Sequence, residues 1–568
     1  MDRDNRNSRY NRSGSGTSSD GNRRLRRGGY EEDYAPHYSG QRNQSKRPSA
    51  DDYPERSPRS ERFSHIHEDR PIKNAHHRNE PGRKKKHMVG RVLAIIQGIL
   101  SIIVLALLFV LDVVPLKYLA IAALLLVILW VFAYFSQFTR GTHIAGKIES
   151  LILCIVLAWG SYYLFITNSF LDSITGSSVK VDNIVIAVLK DDPAQTLEDA
   201  AGYTFGVQST LDRDNVDKTI AEINENLGTE IKTQDFDGVS SQVAALYSGE
   251  VGAIIYNEAF NGNIVEEYTT FDDDIRILDN VKIETKVNVD SSDVKVTKEP
   301  FTVYISGIDT YGDISTTSRS DVNILATVNP ETKQILLTST PRDYYVEIPG
   351  ISNGSKDKLT HAGIYGVDAS MDTLEALYGV KIDYYARVNF TSVINIVDAL
   401  GGLNVYSEYA FTSIDGHTFQ QGYNEMDGET ALAFVRERYN LAGGDNQRGK
   451  NQEAVITAML QKVMSPAILT NYAGLLGSLD DSFETNMSMN DITELIKMQL
   501  SDGSNWNIVS QSVVGSNGQD YCYSSPGNLL YVMIPDMDSV NAASAKIQQV
   551  INGEIITDST GESVSESY

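Results

Sequence analysis

SGID (306–309), TSRSDVNILATVN (317–329) and ILLTSTPRDYY (335–345) follow one another within a single segment of the chain. Three apolar runs in and beside it, 303–308, 322–328 and 335–340, are rich in Ile, Val and Leu and predict consecutive strands. Asp309, Arg319, Asp321, Arg342 and Asp343 fall at the ends of those strands. Arg319 and Asp321 are two apart, so on a strand they share one face. Strand ends carrying guanidinium and carboxylate groups together suit a phosphate ligand with its metal. Arginine forks onto phosphate oxygens, and carboxylates hold a hard cation. The alternative is a salt-bridge ladder on a solvated surface.

The 568 residues are enough for several domains, and their charge is unevenly spread. Residues 1–88 hold 21 Lys and Arg against 13 Asp and Glu, so the rest of the chain carries about −33 of the net −25. The leader is Arg, Ser, Asn, Gly and Asp with few aliphatics, and it predicts a disordered basic tail. Its tyrosines, three of them in YEEDYAPHY, fit either a kinase substrate or a plain solvated linker. Interspersed acids and a neighbouring membrane favour lipid headgroups over nucleic acid as its partner. RKKKH (83–87) then meets apolar sequence. Residues 92–111, 116–135 and 151–166 are three candidate membrane spans within 89–168. The positive-inside rule puts RKKKH and the loop with Arg140 and Lys147 in the cytoplasm, and everything after Asn168 outside the cell membrane. Cys154 and Cys522 lie too far apart in sequence to suggest a disulfide framework.

Residues 181–289 alternate strand and helix patterns and predict a small extracellular α/β accessory domain. Its pattern is similar to half of a periplasmic solute-binding lobe, and a spacer without ligand fits it equally. Residues 299–551 mix helices and strands after the three opening strands. They predict a three-layer α/β/α domain around a mixed sheet. Helices are expected at 368–378, 392–400, 429–436, 448–463, 467–476, 490–500 and 538–551, with further strands at 384–388, 403–406, 506–514 and 529–534. Residues 552–568 read as a disordered polar tail.

A second set of cations lies downstream. Arg436 and Arg438 are expected at a helix end. Arg448 and Gln452 share a face at the start of the next helix, whose N-terminus favours anions. Lys358 and Arg387 add charge between the two sets. Exposed arginines on a solvated face are the alternative to a pyrophosphate-sized anion.

In order, SRSD (318–321), STPRD (339–343), KLTHAGIYG (358–366), NFTSVINIVDALGG (389–402), MDGETALAFVRER (426–438) and DNQRGKNQ (445–452) strongly resemble the LytR–CpsA–Psr family. KLTHAGIYG is similar to its capsule-associated CpsA branch, as are the three spans and the extra outer domain. The resemblance implies a membrane-anchored phosphotransferase. It would attach a glycan phosphate, from capsular polysaccharide or a teichoic-acid-like polymer on an undecaprenyl-pyrophosphate carrier, to peptidoglycan. It implies Mg²⁺ held by Asp309 and Asp321, and pyrophosphate held by Arg319, Arg342, Lys358, Arg436, Arg438, Arg448 and Gln452. Asp445 matches a suggested general base, acting with Arg342 and Arg438 in catalysis. Capsule or wall assembly machinery is a further implied partner. One departure is Asn451-Gln452 where the family usually has Arg-Gln, which would remove a phosphate fork. Two other functions use the same residues: a non-enzymatic binder or assembly regulator of lipid-linked glycan, and a pyrophosphatase acting on the lipid donor. The predicted topology counts against a transcriptional regulator.

Overall fold

The computed structural model describes residues 83–112, 114–139, 141–174, 179–286, 292–308, 310, 314–465 and 483–557. Most of the basic tail, Asp309, Arg140, the expected helix 467–476 and the end of the C-terminal tail lie outside the described residues. Helices α1 (Arg83–Leu111), α2 (Leu116–Ser136) and α3 (His143–Ile174) are long and apolar enough to cross a membrane. The third extends beyond the expected 151–166 at both ends, which brings in Glu149 and Ser150. Gln97 bonds both, donating to Glu149 Oε1 at 3.2 Å and accepting from Ser150 Oγ at 2.7 Å. Polar side chains in an apolar bundle meet one another in this way because lipid offers them no partner. At the other end of α1, Lys117 Nζ donates to Ser501 O at 3.1 Å and Asp112 pairs with Lys497. The α1–α2 turn therefore touches the last domain of the chain.

The accessory domain contains β1 (Val179–Leu189), β2 (Thr204–Gln208), α4 (Arg213–Leu227), β3 (Lys232–Phe236), α5 (Val239–Ser248), β4 (Ala253–Asn257), α6 (Asn261–Glu267), α7 (Phe271–Asp274) and β5 (Ile275–Lys286). Its sheet has the order β3-β2-β4-β1-β5, with β2 parallel to β3 and β4, and β1 antiparallel to β4 and β5. The sequence reading does not anticipate β3 and β5. Both are edge strands, and edge strands carry polar residues that blur the apolar signal. Backbone bonds and apolar packing both join this domain to the next. Val181 N donates to Ser315 O at 3.0 Å and Thr317 N to Val181 O at 2.9 Å. Ile364 of the last domain is buried in the accessory core beside Phe260 and Ile264.

The last domain is the expected three-layer sandwich. Strands β6 (Phe301–Ile308), β7 (Ser320–Asn329) and β8 (Gln334–Ser339) form an antiparallel meander at the centre. The pair β9 (Tyr345–Glu347) and β10 (Lys356–Lys358) lies apart from it. After α8 (Leu359–Tyr365) and α9 (Val367–Tyr378), β11 (Tyr384–Val388) adds parallel to β6. Then come α10 (Phe390–Ala399), β12 (Leu403–Ser407), a small hairpin of β13 (Phe411–Thr412) and β14 (Thr418–Phe419), β15 (Gly422–Met426), α11 (Gly428–Arg436) and α12 (Gly444–Met464). Edge strands β16 (Phe483–Thr485) and β17 (Asn507–Ser512), separated by α13 (Met489–Asp502), complete a six-stranded mixed sheet of order β16-β11-β6-β7-β8-β17. A hairpin, β18 (Gly515–Cys522) and β19 (Ser525–Pro535), precedes α14 (Met537–Ile551). Alternation along the strands splits the core. Tyr304, Leu325 and Leu336 face α9 and α14, whereas Ile324, Ala326 and Leu337 face α12. Tyr304 is fully buried, and its hydroxyl lies 2.7 Å from both Ser320 Oγ and Asn323 Oδ1, so the polar tip is satisfied.

Glu453 on α12 is buried at the same sheet edge and accepts from Ser512 Oγ at 3.0 Å. Burial pushes its carboxyl up to about 8, against the smaller opposing pull of the Ser512 and Ser339 hydrogen bonds. An unfolded glutamate ionises near 4.5, so the folded chain holds one more proton between about 4.5 and 8. The Glu453 contribution to stability is full below 4.5, declines as pH rises and is lost through 8. Thermal melts from pH 5 to pH 8.5 should show Glu453→Gln losing less stability than the wild type, by on the order of a few kcal/mol.

Candidate active site

The strand ends that carry the sequence motifs converge at one edge of the sheet. Asp321 opens β7, Arg342 and Asp343 follow β8, and Lys358 ends β10. Helix α12 crosses that edge, close enough that a Cβ on Gly449 would lie 3.1 Å from Ser339 Oγ. The resulting cleft is lined by Asp321, Arg342, Asp445, Arg448 and Gln452, with Ser339 and Ser512 at its floor. Arg342 NH1 donates to Asp321 Oδ2 at 2.6 Å, and Thr360 Oγ1 to Asp321 Oδ1 at 3.0 Å. Arg448 NH2 pairs with Asp445 Oδ1 at 2.5 Å. Lys358 lies between Glu266, at 2.8 Å, and Asp343, at 3.7 Å.

Electrostatics in this cleft favour an added anion. Burial raises the Asp321 carboxyl, but Arg342, Arg319 and Arg448 more than offset it and hold the group well below the usual carboxylate range. Burial disfavours the charge on Arg448 more than Asp445 beside it restores, and the like charges of Arg342 and Arg438 add to the burial effect. Arg342 Nε is buried without a hydrogen-bond acceptor among the described residues, and Asp343 Oδ2 lies 3.6 Å from it. A buried unpaired N–H on a charged group is costly unless something accepts it. A phosphate oxygen would do so.

The residues expected from sequence fall into three groups. Asp321, Arg342, Asp445, Arg448 and Gln452 share the cleft. Arg319 and Lys358 lie beside it, both bonded to Glu266, at 3.2 Å and 2.8 Å. Arg438 is within electrostatic reach of Arg448 and stacks on Tyr439, while Arg436 is exposed and lies 4.3 Å over the Phe390 ring. Arg387 belongs elsewhere: it pairs with Glu484 at 3.0 Å and donates to Thr316 O at 2.9 Å. Helix α12 starts at Gly444, one turn earlier than expected, so Arg448 is not at its N-terminus and Asp445 occupies the first turn. The departure at Asn451 also reads differently. Asn451 is buried and donates to Phe434 O at 3.3 Å, so this position faces α11 and not the cleft. Asp343, expected at a strand end, lies beside Lys358, and two residues of the site were not anticipated: Thr360 and Glu266. Thr360 stands inside a quoted motif, whereas nothing local marks Glu266.

Carboxylate oxygens are the right donors for a magnesium ion. Each oxygen of Asp321 accepts one bond, from Arg342 or Thr360, which leaves one lone pair on each for a metal. Its expected partner Asp309 lies outside the described residues. The three-residue group with metal-ligating chemistry among the described residues is Asp357, His361 and Cys522, buried behind Lys358. There His361 Nδ1 lies 2.6 Å from Asp357 Oδ1 and 2.8 Å from Ser524 Oγ, the spacing of a hydrogen-bonded network.

The ion pair makes Arg342 a structural residue as well as a cleft residue. Removing it leaves a buried, unpaired carboxylate. Arg342→Ala should destabilise the chain by about 3 kcal/mol, and adding Asp321→Asn should restore most of that, as read by denaturant unfolding followed by circular dichroism.

Residues 260–545 match the LytR_cpsA_psr family, beginning inside the accessory domain at Phe260. A polyisoprenyl-teichoic acid–peptidoglycan teichoic acid transferase TagU of Enterococcus faecalis is 40% identical over 200 residues, which are 35% of this chain and 65% of that protein, just under two thirds. The TagU of Bacillus cereus is 34% identical over 235 residues, covering 40% of this chain and 76% of the relative. Among solved structures, the crystal structure of B. subtilis TagV is 25% identical, with a TM-score of 0.39, over 46% of this chain and 99% of its own. TagT bound to LI-WTA is 27% identical, with a TM-score of 0.37, over 46% and 94%. With the family match spanning half the chain, and with Asp321, Arg342, Asp445, Arg448 and Gln452 of its motifs in one cleft, this chain belongs to the LytR–CpsA–Psr family.

Proposed function

We propose that the chain is a membrane-anchored phosphotransferase. It moves a glycan phosphate from an undecaprenyl-pyrophosphate carrier to a peptidoglycan hydroxyl and releases undecaprenyl phosphate. The observation that carries this reading is two guanidinium groups in one cleft, the buried Arg448 and the half-buried Arg342, whose buried Nε–H has no acceptor among the described residues. The relatives' names agree with the reaction class. For the polymer, KLTHAGIYG and the three spans followed by an accessory domain favour the capsule-associated branch, and the relatives' names favour a teichoic acid.

In the proposed reaction the acceptor oxygen attacks the phosphorus that carries the glycan. The bond from that phosphorus to the bridging oxygen breaks, and the second phosphate leaves on the polyprenyl chain. Arg342, Arg448 and Arg438 take up the charge that develops on the leaving phosphate, which is most of what phosphoryl transfer asks of a protein. Arg319, Lys358, Arg436 and Gln452 complete the donor contacts. Asp445 stands in the cleft as the carboxylate that accepts the hydroxyl proton. Asp321, with Asp309, would hold a magnesium ion that neutralises charge on the transferred phosphate when bound.

The site needs to face the leaflet where the lipid donor meets the wall. We place the N-terminal tail in the cytoplasm and both folded domains outside. The supporting observation is the contact of Asp112 and Lys117, in the α1–α2 turn, with Lys497 and Ser501. An epitope inserted near residue 20 should survive protease added to wall-stripped cells, and its cleavage would reverse the orientation.

The reaction is tested by incubating the full chain in lipid nanodiscs with polyprenyl-pyrophosphoryl oligosaccharide, with and without peptidoglycan. Transfer to peptidoglycan is expected, together with loss of transfer but retained donor binding in Asp445→Asn. Release of free glycan phosphate regardless of acceptor would make the chain a pyrophosphatase. Binding without turnover would make it a carrier or assembly factor.

A further inference from the structure

The accessory domain reaches into the charged edge of the cleft through α6. Glu266, near the end of that helix, accepts from Lys358 Nζ at 2.8 Å through Oε2 and from Arg319 NH1 at 3.2 Å through Oε1. The helix is held firmly in place. Phe260, just before it, sets its ring edge-on to Tyr365, and Ile264 is fully buried in the core that includes Ile364. Asn263 Nδ2 donates to Ser524 Oγ at 3.3 Å, and Asn528 Nδ2 donates to Glu267 Oε2 at 2.6 Å. The α6 backbone also presses on the guanidinium, since a Cβ on Gly262 would fall 2.2 Å from Arg319 Cζ. The Lys358 side chain is only 3% exposed, so a ligand reaches its ammonium past Glu266.

A carboxylate that bridges an ammonium and a guanidinium makes the same charge-assisted bonds that two phosphate oxygens would make. Burial raises the Glu266 carboxyl, but Lys358, then His361 and Arg319, more than offset this and hold it below the usual carboxylate range. It is therefore charged at neutral pH and competes with any anion for these two cations. We infer that Glu266 is a specificity-determining carboxylate of the donor site, supplied by the accessory domain, which a headgroup of two joined phosphates displaces and a single phosphate does not. The inference rests on the proposed reading of Lys358 and Arg319 as donor contacts. It gives the accessory domain a part in the reaction. The pyrophosphate donor gains contacts to Arg342 and Arg448 as well, enough to drive Glu266 away.

Inorganic pyrophosphate and inorganic phosphate serve as probes, titrated calorimetrically into the full chain in nanodiscs. The wild type should bind pyrophosphate with a clear preference. Glu266→Gln should bind phosphate more tightly, on the order of tenfold, the size of one charge-assisted bond regained, and so narrow the preference. Glu266→Asp, which keeps the charge, should stay nearer the wild type, and Glu267→Gln should match it. An unchanged preference in Glu266→Gln, or weaker binding of both anions, overturns the inference. The Arg342→Ala/Asp321→Asn pair separates this from the wider reading. If pyrophosphate binding survives that double change, the phosphate site lies elsewhere and the proposed function fails. If binding is lost there but Glu266→Gln leaves the preference unaltered, only the role of Glu266 falls.

Discussion

The bond between Arg342 and Asp321 lies where the central meander, the loop after β8 and helix α8 meet, and the charged cleft is built around it. A carboxylate buried at the end of a strand is expensive unless a cation answers it, and a cation so placed is useful only if it retains a spare donor. Arg342 meets both conditions, with NH1 on Asp321 and an Nε–H that no group among the described residues accepts. Around this pair the fold stacks further charges of both signs: Arg448 with Asp445, Lys358 with Asp343 and Glu266, and Arg319 with Glu266. These pairs bring the charges around the cleft close to neutral, so an anion bound there would gain by exchanging partners, not by meeting bare charge.

Only a folded sheet edge brings these residues together, because they come from separate segments. Antiparallel β6, β7 and β8 place the end of β8 beside the start of β7, and α12 is pinned across both through Gly449, Glu453 and Ser512. The accessory domain is not a loosely tethered addition. It shares apolar packing with α8 through Ile364 and Tyr365, and its strand β1 exchanges backbone bonds with Ser315 and Thr317 in the loop leading to Arg319. Both couplings converge on site-bearing elements, and the family match likewise begins before the last domain, at Phe260.

Much of this was legible in the sequence because the local signals were strong. Ile- and Val-rich runs with charged ends announced β6 to β8, and the arginine motifs announced the cleft. What escaped depended on tertiary partners. Strand β3, KTQDF, is an edge strand without an apolar face to betray it. Asn451 looked like a missing phosphate contact until its amide was found on Phe434 O. Helix α12 begins at a glycine, so its first turn, with Asp445, read as loop. Glu266 stands 53 residues before Arg319 and 92 before Lys358, and no local pattern in NIVEEY links it to either.

The most direct test is a crystal structure with a non-transferable donor, a polyprenyl glycan joined through a methylene bisphosphonate in place of the pyrophosphate. Both phosphorus atoms should lie in the cleft between Arg342 and Arg448, with Arg342 Nε donating to a phosphonate oxygen and the Glu266 carboxylate withdrawn from Lys358. A headgroup bound away from those arginines, with Arg342 still paired only to Asp321 and Asp343, would contradict the central claim that this cleft binds the donor's phosphates.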